Sequence, residues 1–351
     1  MAVDAFGKRI SVRTDTNGEA WHGLGGFTGA QTACETMDRY ADGIPHYEKR
    51  SLFMADDDGK MIDTETFGLV RCATKDSPSS LIGNCAAEYN LVQPIDLAQA
   101  FDANVRQPIE TLGFLSDGKY MFFTWELPKS RIVVGKDDES KVFGTVMAGF
   151  DAKVAVSLST LFFRVVCKNT FNMAQAVLRN GDGKEDGKAR GRVWVGHHNS
   201  RNIIRDLSAW MKHVQQDAEK DASLAESMFN RLLATPVKSE AVLENLLLQL
   251  YPDPKPVPDY YPAELRGEKQ ELVDIGRAKA EVDRNYIRSL FNGDDKTAPE
   301  GENAWKLFNN VTYYENHVRP SKKDTANSIV FGNRSRTMNA AMKTLIDFSR
   351  Q

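Results

Sequence analysis

Eleven lysines and arginines lie between Lys153 and Val214 against four acids, so this segment carries +7 in a chain whose formal charge is −3. Lys153, Arg164, Lys168, Lys188, Arg190, Arg192, Arg201 and Arg205 are the bases placed to neutralise phosphates. Asn169, Trp194, His197 and His198 stand among them and supply hydrogen bonds and a flat ring. Cations for phosphates and rings for bases are what a nucleic-acid surface needs. From Val318 to Gln351, seven bases against two acids add +5, which leaves −15 for everything else. The plainer reading is that acidic and basic segments neutralise one another within the fold.

Other chemistry fits less well. The stretch from Gly181 to Lys188 lacks the spacing of a phosphate loop and the hydroxyl that would hold magnesium, which argues against a nucleotide-driven motor. Trp21-His22-Gly23-Leu24-Gly25-Gly26 has no strand before it and so does not fit a dinucleotide turn. Neighbouring His197 and His198 point to opposite sides of an extended chain and have no thiolates at useful spacing, so no metal is expected. Asp56-Asp57-Asp58-Gly59 lacks the alternating acids of a calcium loop and reads as a hairpin turn. Cys167 reads as a small buried thiol after the last strand of a sheet, with Lys168, Asn169 and Thr170 opening a helix whose amides suit a phosphate. No hydrolase motif stands out by spacing, so a binding role is expected ahead of an enzymatic one, and no cofactor is implied.

The elements that must position these groups follow from periodicity. Tyr47–Met54 and Met61–Thr66 read as strands around the acidic turn. Asp96 suits a helix cap, and Leu97, Phe101, Val105, Ile109 and Leu112 keep helical spacing until Pro108 kinks or ends the helix early. From Tyr120 the period becomes two, and Tyr120–Leu127, Lys141–Phe150 and Lys153–Val166 read as an antiparallel meander. Most of its aromatics are expected in the core, with Tyr120 and Trp194 the better placed as base platforms. Asn180–Arg192, with four glycines, reads as a mobile loop, and helices follow up to Ala234. Leu243–Leu250 is a short apolar helix, stopped by a strap holding five prolines up to Pro262. Leu272, Ile275, Val282, Tyr286 and Leu290 then mark a long amphipathic helix. The expected fold is α+β: an antiparallel meander packed on helices, with a mostly α-helical C-terminal third. Three regions are expected: residues 1–93 with loop and hairpin, 94–235 as an α-β-β-β-α core with the basic loop, and 236–351 after the strap at 252–262.

At 351 residues with 41% apolar side chains there is ample material for a core. No apolar run reaches the length of a membrane span or signal peptide, and the four cysteines are scattered, so a cytoplasmic protein with reduced thiols is expected.

Several strings resemble one family when taken in order. They are Trp21-His22-Gly23-Leu24-Gly25, Tyr89-Asn90-Leu91-Val92-Gln93-Pro94, Phe150-Asp151-Ala152-Lys153, Cys167-Lys168-Asn169-Thr170, His197-His198-Asn199-Ser200, Asn310 to His317, and Phe331-Gly332-Asn333-Arg334. Together they resemble the phage/plasmid-like protein family, a domain of unknown function. Its middle section, helix then strands then helix, is similar in order to the core of phage single-strand annealing proteins. That likeness implies ATP-independent binding of single-stranded DNA in a basic groove beside the sheet, by a homo-oligomeric ring or filament in the host cytoplasm. The alternative is a phage or plasmid accessory protein that occupies a host defence or replication protein.

Overall fold

A run of alternating residues becomes a strand when its apolar face finds cover, and here Met121, Phe123 and Trp125 of β5 (Tyr120–Glu126) find helix α2 (Pro94–Asn104), which follows the short helix α1 (Ala33–Arg39). Phe101 of α2 meets Phe123 and Trp125 edge-on, each with centroids 5.1 Å apart. This is seen in a computed structural model that describes residues 32–39, 41–75, 77–116, 118–127, 130–164, 169–171, 194–196, 198, 201–258, 260, 262–293, 299, 301–320 and 333–351.

The fold is α+β. A three-stranded antiparallel sheet joins β1 (Tyr47–Ala55), β2 (Met61–Arg71) and β3 (Ser80–Cys85). Its tip is the expected turn: Asp56 Oδ1 accepts from the amides of Asp58 and Lys60, and Gly59 takes φ +79°. The larger sheet runs β10 (Trp194–Gly196), β8 (Val156–Arg164), β7 (Asp138–Gly149), β5 and β4 (Thr111–Leu115). In addition β6 (Ile132–Val134) pairs with β7, and β9 (Asn169–Phe171) with β8. All these pairings are antiparallel, and β5, β7 and β8 form the meander.

Three local expectations are corrected. Helix α2 stops at Asn104, Arg106 turns to φ +55°, and Ile109 and Leu112 reach the core from a loop and from β4. The helix ends before Pro108, as expected, so Ile109 and Leu112 leave the helical stripe that their spacing suggests. Asp96 is not the cap but sits at the third helical position, where its Oδ2 accepts from the Gln93 amide. Gln93 in turn exchanges two side-chain hydrogen bonds with the Tyr47 backbone and ties α2 to β1. Asn169 and Thr170 open no helix; they lie in β9, opposite Arg164 and Phe163.

Helix α3 (Ile203–Ala234) crosses the sheet on a stripe of Leu207, Met211, Val214, Ala218, Ala222, Ala225, Phe229 and Leu232, all buried. It also covers a sheet edge. Glu226 and Asn230 accept from the amides of Val133 and Gly135 in and beside β6, and Asn230 donates to the Val133 carbonyl. Helices α4 (Glu240–Leu250), α5 (Ala263–Asn292), α6 (Ala304–Tyr313) and α7 (Asn333–Phe348) follow, with a π-helical turn at Tyr314–Val318. Trp305 of α6 stacks on Phe229 of α3 at 4.6 Å, and its indole N–H donates to Asp138 of β7. One buried cluster therefore runs without a break from Ala33 to Ile346.

Candidate nucleic-acid interface

The turn between β7 and β8 carries Phe150-Asp151-Ala152-Lys153. Asp151 is buried and organises it: Oδ1 accepts from the Lys153 amide at 3.0 Å, and Oδ2 accepts from the Tyr120 hydroxyl at 3.0 Å. Such a side-chain-to-backbone bond two residues on is the natural device for a tight turn, here with Ala152 at φ +62°. Phe150 stacks on Tyr47 of β1 at 4.0 Å, and the Asp151 carbonyl lies 2.3 Å from where Gly83 of β3 would carry a Cβ. The small sheet thus clamps the turn directly. Lys153 leaves it into solvent.

His198 comes to the same place from the other direction. β10 runs beside the start of β8, with Gly196 opposite Val156, so residue 198 falls next to the turn. Its backbone carbonyl accepts from the Asn90 amide at 2.7 Å, and its Nδ1 lies 3.0 Å from the Asn90 carbonyl. A carbonyl only accepts, so Nδ1 carries the proton. The ring stacks on Tyr89 at 4.6 Å and 16°. Burial pushes the imidazole pKa below its ordinary value; the carbonyls of Asn90, Val154 and Gly149 and the Asp151 charge oppose this. Among the described residues Nε2 finds no hydrogen bond of usable geometry, and neither does the buried Tyr89 hydroxyl. Burial, followed by the nearby Cys85 and Asp151 charges, raises the Tyr89 phenol. Burial and the Asp151 partner push Tyr120 up to about 12.

Three of the sequence strings therefore meet around one neutral, buried histidine, and two cations leave from their ends. Lys153 follows Asp151 by two residues, Arg201 follows His198 by three, and both are exposed. Arg205, in the first turn of α3, is exposed and pairs with Asp206 at 3.3 Å, a contact worth little in water. The backbone of Trp194 lies on the β10 edge opposite Leu158. Arg164 and Asn169 are not in this group: they pair with each other at the far end of β8, whose nine residues span roughly 25 Å at the usual strand rise. Lys168, Lys188, Arg190, Arg192 and His197 lie outside the described residues, as do the loop expected at 180–192, Cys167 and the Trp21 string. Tyr120 is not an open platform, since it is half-buried with its hydroxyl committed to Asp151. Phe122, Phe123, Trp125, Phe143 and Phe150 are buried.

Sequence reasoning missed a second polar centre, although it lies in the Asn310–His317 string. In the π-helical turn, Glu315 is 0% exposed. Its Oε1 accepts from the Tyr251 hydroxyl at 2.8 Å, and both its oxygens accept from Arg319 Nη1 at 2.8 and 3.1 Å. Arg334 of α7 donates to the Glu315 and Arg319 carbonyls. Asp283 of α5 accepts from Tyr314 and lies 3.6 Å from Arg319, while Arg284 holds the strap through Tyr251 and Asp253. Burial raises the Glu315 carboxyl above its ordinary value, opposed by Arg319, Tyr251 and Arg334. A π-helical turn around buried charge is often functional, yet the contacts here tie α5, α7, the strap and the turn to one another. The arrangement is a staple. Among the described residues no group of three or more His, Cys, Asp or Glu side chains gathers as metal ligands, and no helix is long and apolar enough to cross a membrane.

Residues 82–341 match a family described as a domain of unknown function, DUF932. The chain belongs to the DUF932 family. The match begins inside β3 and ends inside α7, so the DUF932 segment holds both the His198 hub and the Glu315 staple, while β1 and β2 precede it. Neither curated proteins nor solved structures yield a match.

Proposed function

We propose that this DUF932 protein binds single-stranded DNA and anneals complementary strands without ATP, in a phage or plasmid setting. The observation that carries the reading is that the Asp151 turn, two residues before exposed Lys153, and His198, three residues before exposed Arg201, lie at the same end of β8 within a segment of net charge +7. Phosphates would be met first by Lys153, Arg201 and Arg205. The strand would then run along the β10 edge toward Arg164. A buried neutral histidine suits this role as a brace, because it fixes two cation-bearing turns without adding a charge that titrates at the surface. The test is an annealing assay with two complementary labelled oligonucleotides in nucleotide-free buffer. Protein-dependent acceleration is expected, and a rate equal to that of the DNA alone would remove the proposal.

A second reading, an accessory protein that occupies a host defence or replication protein, is favoured by the β1–β2 tip. Phe53, Met54, Met61 and Ile62 are exposed there around Asp56, Asp57 and Asp58, which suits a basic protein with an apolar recess. Retention of one host protein after nuclease treatment, lost on Phe53→Ser and coupled with no DNA binding, would select it.

A further inference from the structure

Helix α5 is anchored at one end only. Asp283, Arg284, Ile287 and Phe291 are buried among α4, α6 and the Glu315 staple. From Leu265 to Val282, roughly 26 Å at the usual helical rise, the helix projects with only the strap beside it among the described residues. The strap takes one face: Pro254 Cγ lies 2.7 Å from where Gly276 would carry a Cβ, which explains a glycine in mid-helix.

A separate face carries Leu265, Leu272, Ile275 and Val282, exposed at 47%, 62%, 59% and 65%. Their spacings of seven, three and seven are those of a heptad seam, and Glu268 and Lys279 occupy the two remaining seam positions. We propose that this seam pairs with the same seam of a second copy of the chain, antiparallel about a two-fold axis between Leu272 and Ile275.

The occupant is read from the order of the six seam residues. Laid antiparallel on itself, the series Leu265, Glu268, Leu272, Ile275, Lys279, Val282 sets Leu265 against Val282, Glu268 against Lys279, and Leu272 against Ile275. By symmetry each contact occurs twice. Every apolar residue meets an apolar one and every charge meets its opposite. Parallel pairing would instead set Glu268 on Glu268 and Lys279 on Lys279, which opposes it. Two such faces bury on the order of 1,000 Å² in total, the threshold for a specific interface. One sheet edge, at β6, is closed to such pairing by Glu226 and Asn230. This dimer stands independently of the nucleic-acid reading, since it needs no DNA and uses none of the cations at the His198 hub.

Sedimentation equilibrium of the full chain without DNA tests it. A dimer at micromolar concentration is expected, and Ile275→Asp should weaken it at least about tenfold, since each copy places that charge against an apolar layer twice. Glu268→Lys alone and Lys279→Glu alone should each weaken it by about tenfold, because each sets like charges together. The double variant Glu268→Lys/Lys279→Glu should return to within a few-fold of the starting affinity, which only antiparallel pairing predicts. These positions are exposed, so circular dichroism should be unchanged. A monomeric starting protein, a dimer indifferent to Ile275→Asp, or a double variant no tighter than the single ones would each overturn the proposal.

Discussion

His198 and Asn90, separated by 108 residues in sequence, hold each other by two hydrogen bonds: the Asn90 amide donates to the His198 carbonyl, and His198 Nδ1–H donates to the Asn90 carbonyl. This pair joins the irregular segment before α2 to the segment before α3, with the Asp151 turn beside them. Its energetics rest on the ring staying neutral.

The folded imidazole has a lowered pKa because it is buried, so the unfolded chain takes up the proton more readily. This contribution to stability is fully present above the unfolded value of about 6.5 and is lost as pH falls through the folded value. Denaturant titrations at pH 7.5 and 5.5 should show the protein weaker at the lower pH. His198→Phe, which keeps the stack on Tyr89 without a titrating group, should show a smaller difference. An equal difference in both proteins would assign the pH effect elsewhere.

Glu315 gives the opposite sign. Its raised carboxyl favours folding at low pH, and that contribution is lost as pH rises through the raised value. At pH 7 the partners matter more. Glu315→Ala strands the Tyr251 hydroxyl and leaves Arg319 with Asp283 alone at 3.6 Å, and should cost about 3–5 kcal/mol in urea unfolding. Glu315→Gln keeps an acceptor for Tyr251 and should cost distinctly less. Equal losses would mean that the charge, not the acceptor, holds the staple.

Gly83→Ala places a methyl against the Asp151 backbone, where nothing flexible can yield. A loss of about 2 kcal/mol or more is expected. If the Lys153 turn is part of a DNA site, affinity for a labelled oligonucleotide should fall too, at a temperature where the variant is still folded. Full affinity in a destabilised variant would detach the turn from binding.

The meander was legible in the sequence because β5, β7 and β8 pair in chain order and Tyr120–Leu127 alternates cleanly. The places of Ile109 and Leu112 were not, since both keep helical spacing while reaching the core from a loop and a strand. The cations were visible as a charge count, but charge does not say which turns meet. The long-range His198–Asn90 contact and the β8–β10 pairing bring His198 to the end of β8 where the Asp151 turn lies, while the β8–β9 pairing leaves Arg164 at the other end. The stripe on α5 was legible as amphipathic, yet no periodicity tells a core-facing stripe from one that faces outward.

The central claim is that Lys153 and Arg201 share one single-stranded-DNA site. Fluorescence anisotropy with a labelled single strand, repeated from 50 to 300 mM salt, tests it most directly. Six phosphate contacts predict a slope of log affinity on log salt near −4, at about 0.7 per contact on single strands. Lys153→Gln/Arg201→Gln should weaken binding and bring that slope about 1.4 closer to zero. Affinity that ignores salt, or a double variant with the same slope as the starting protein, would contradict the account.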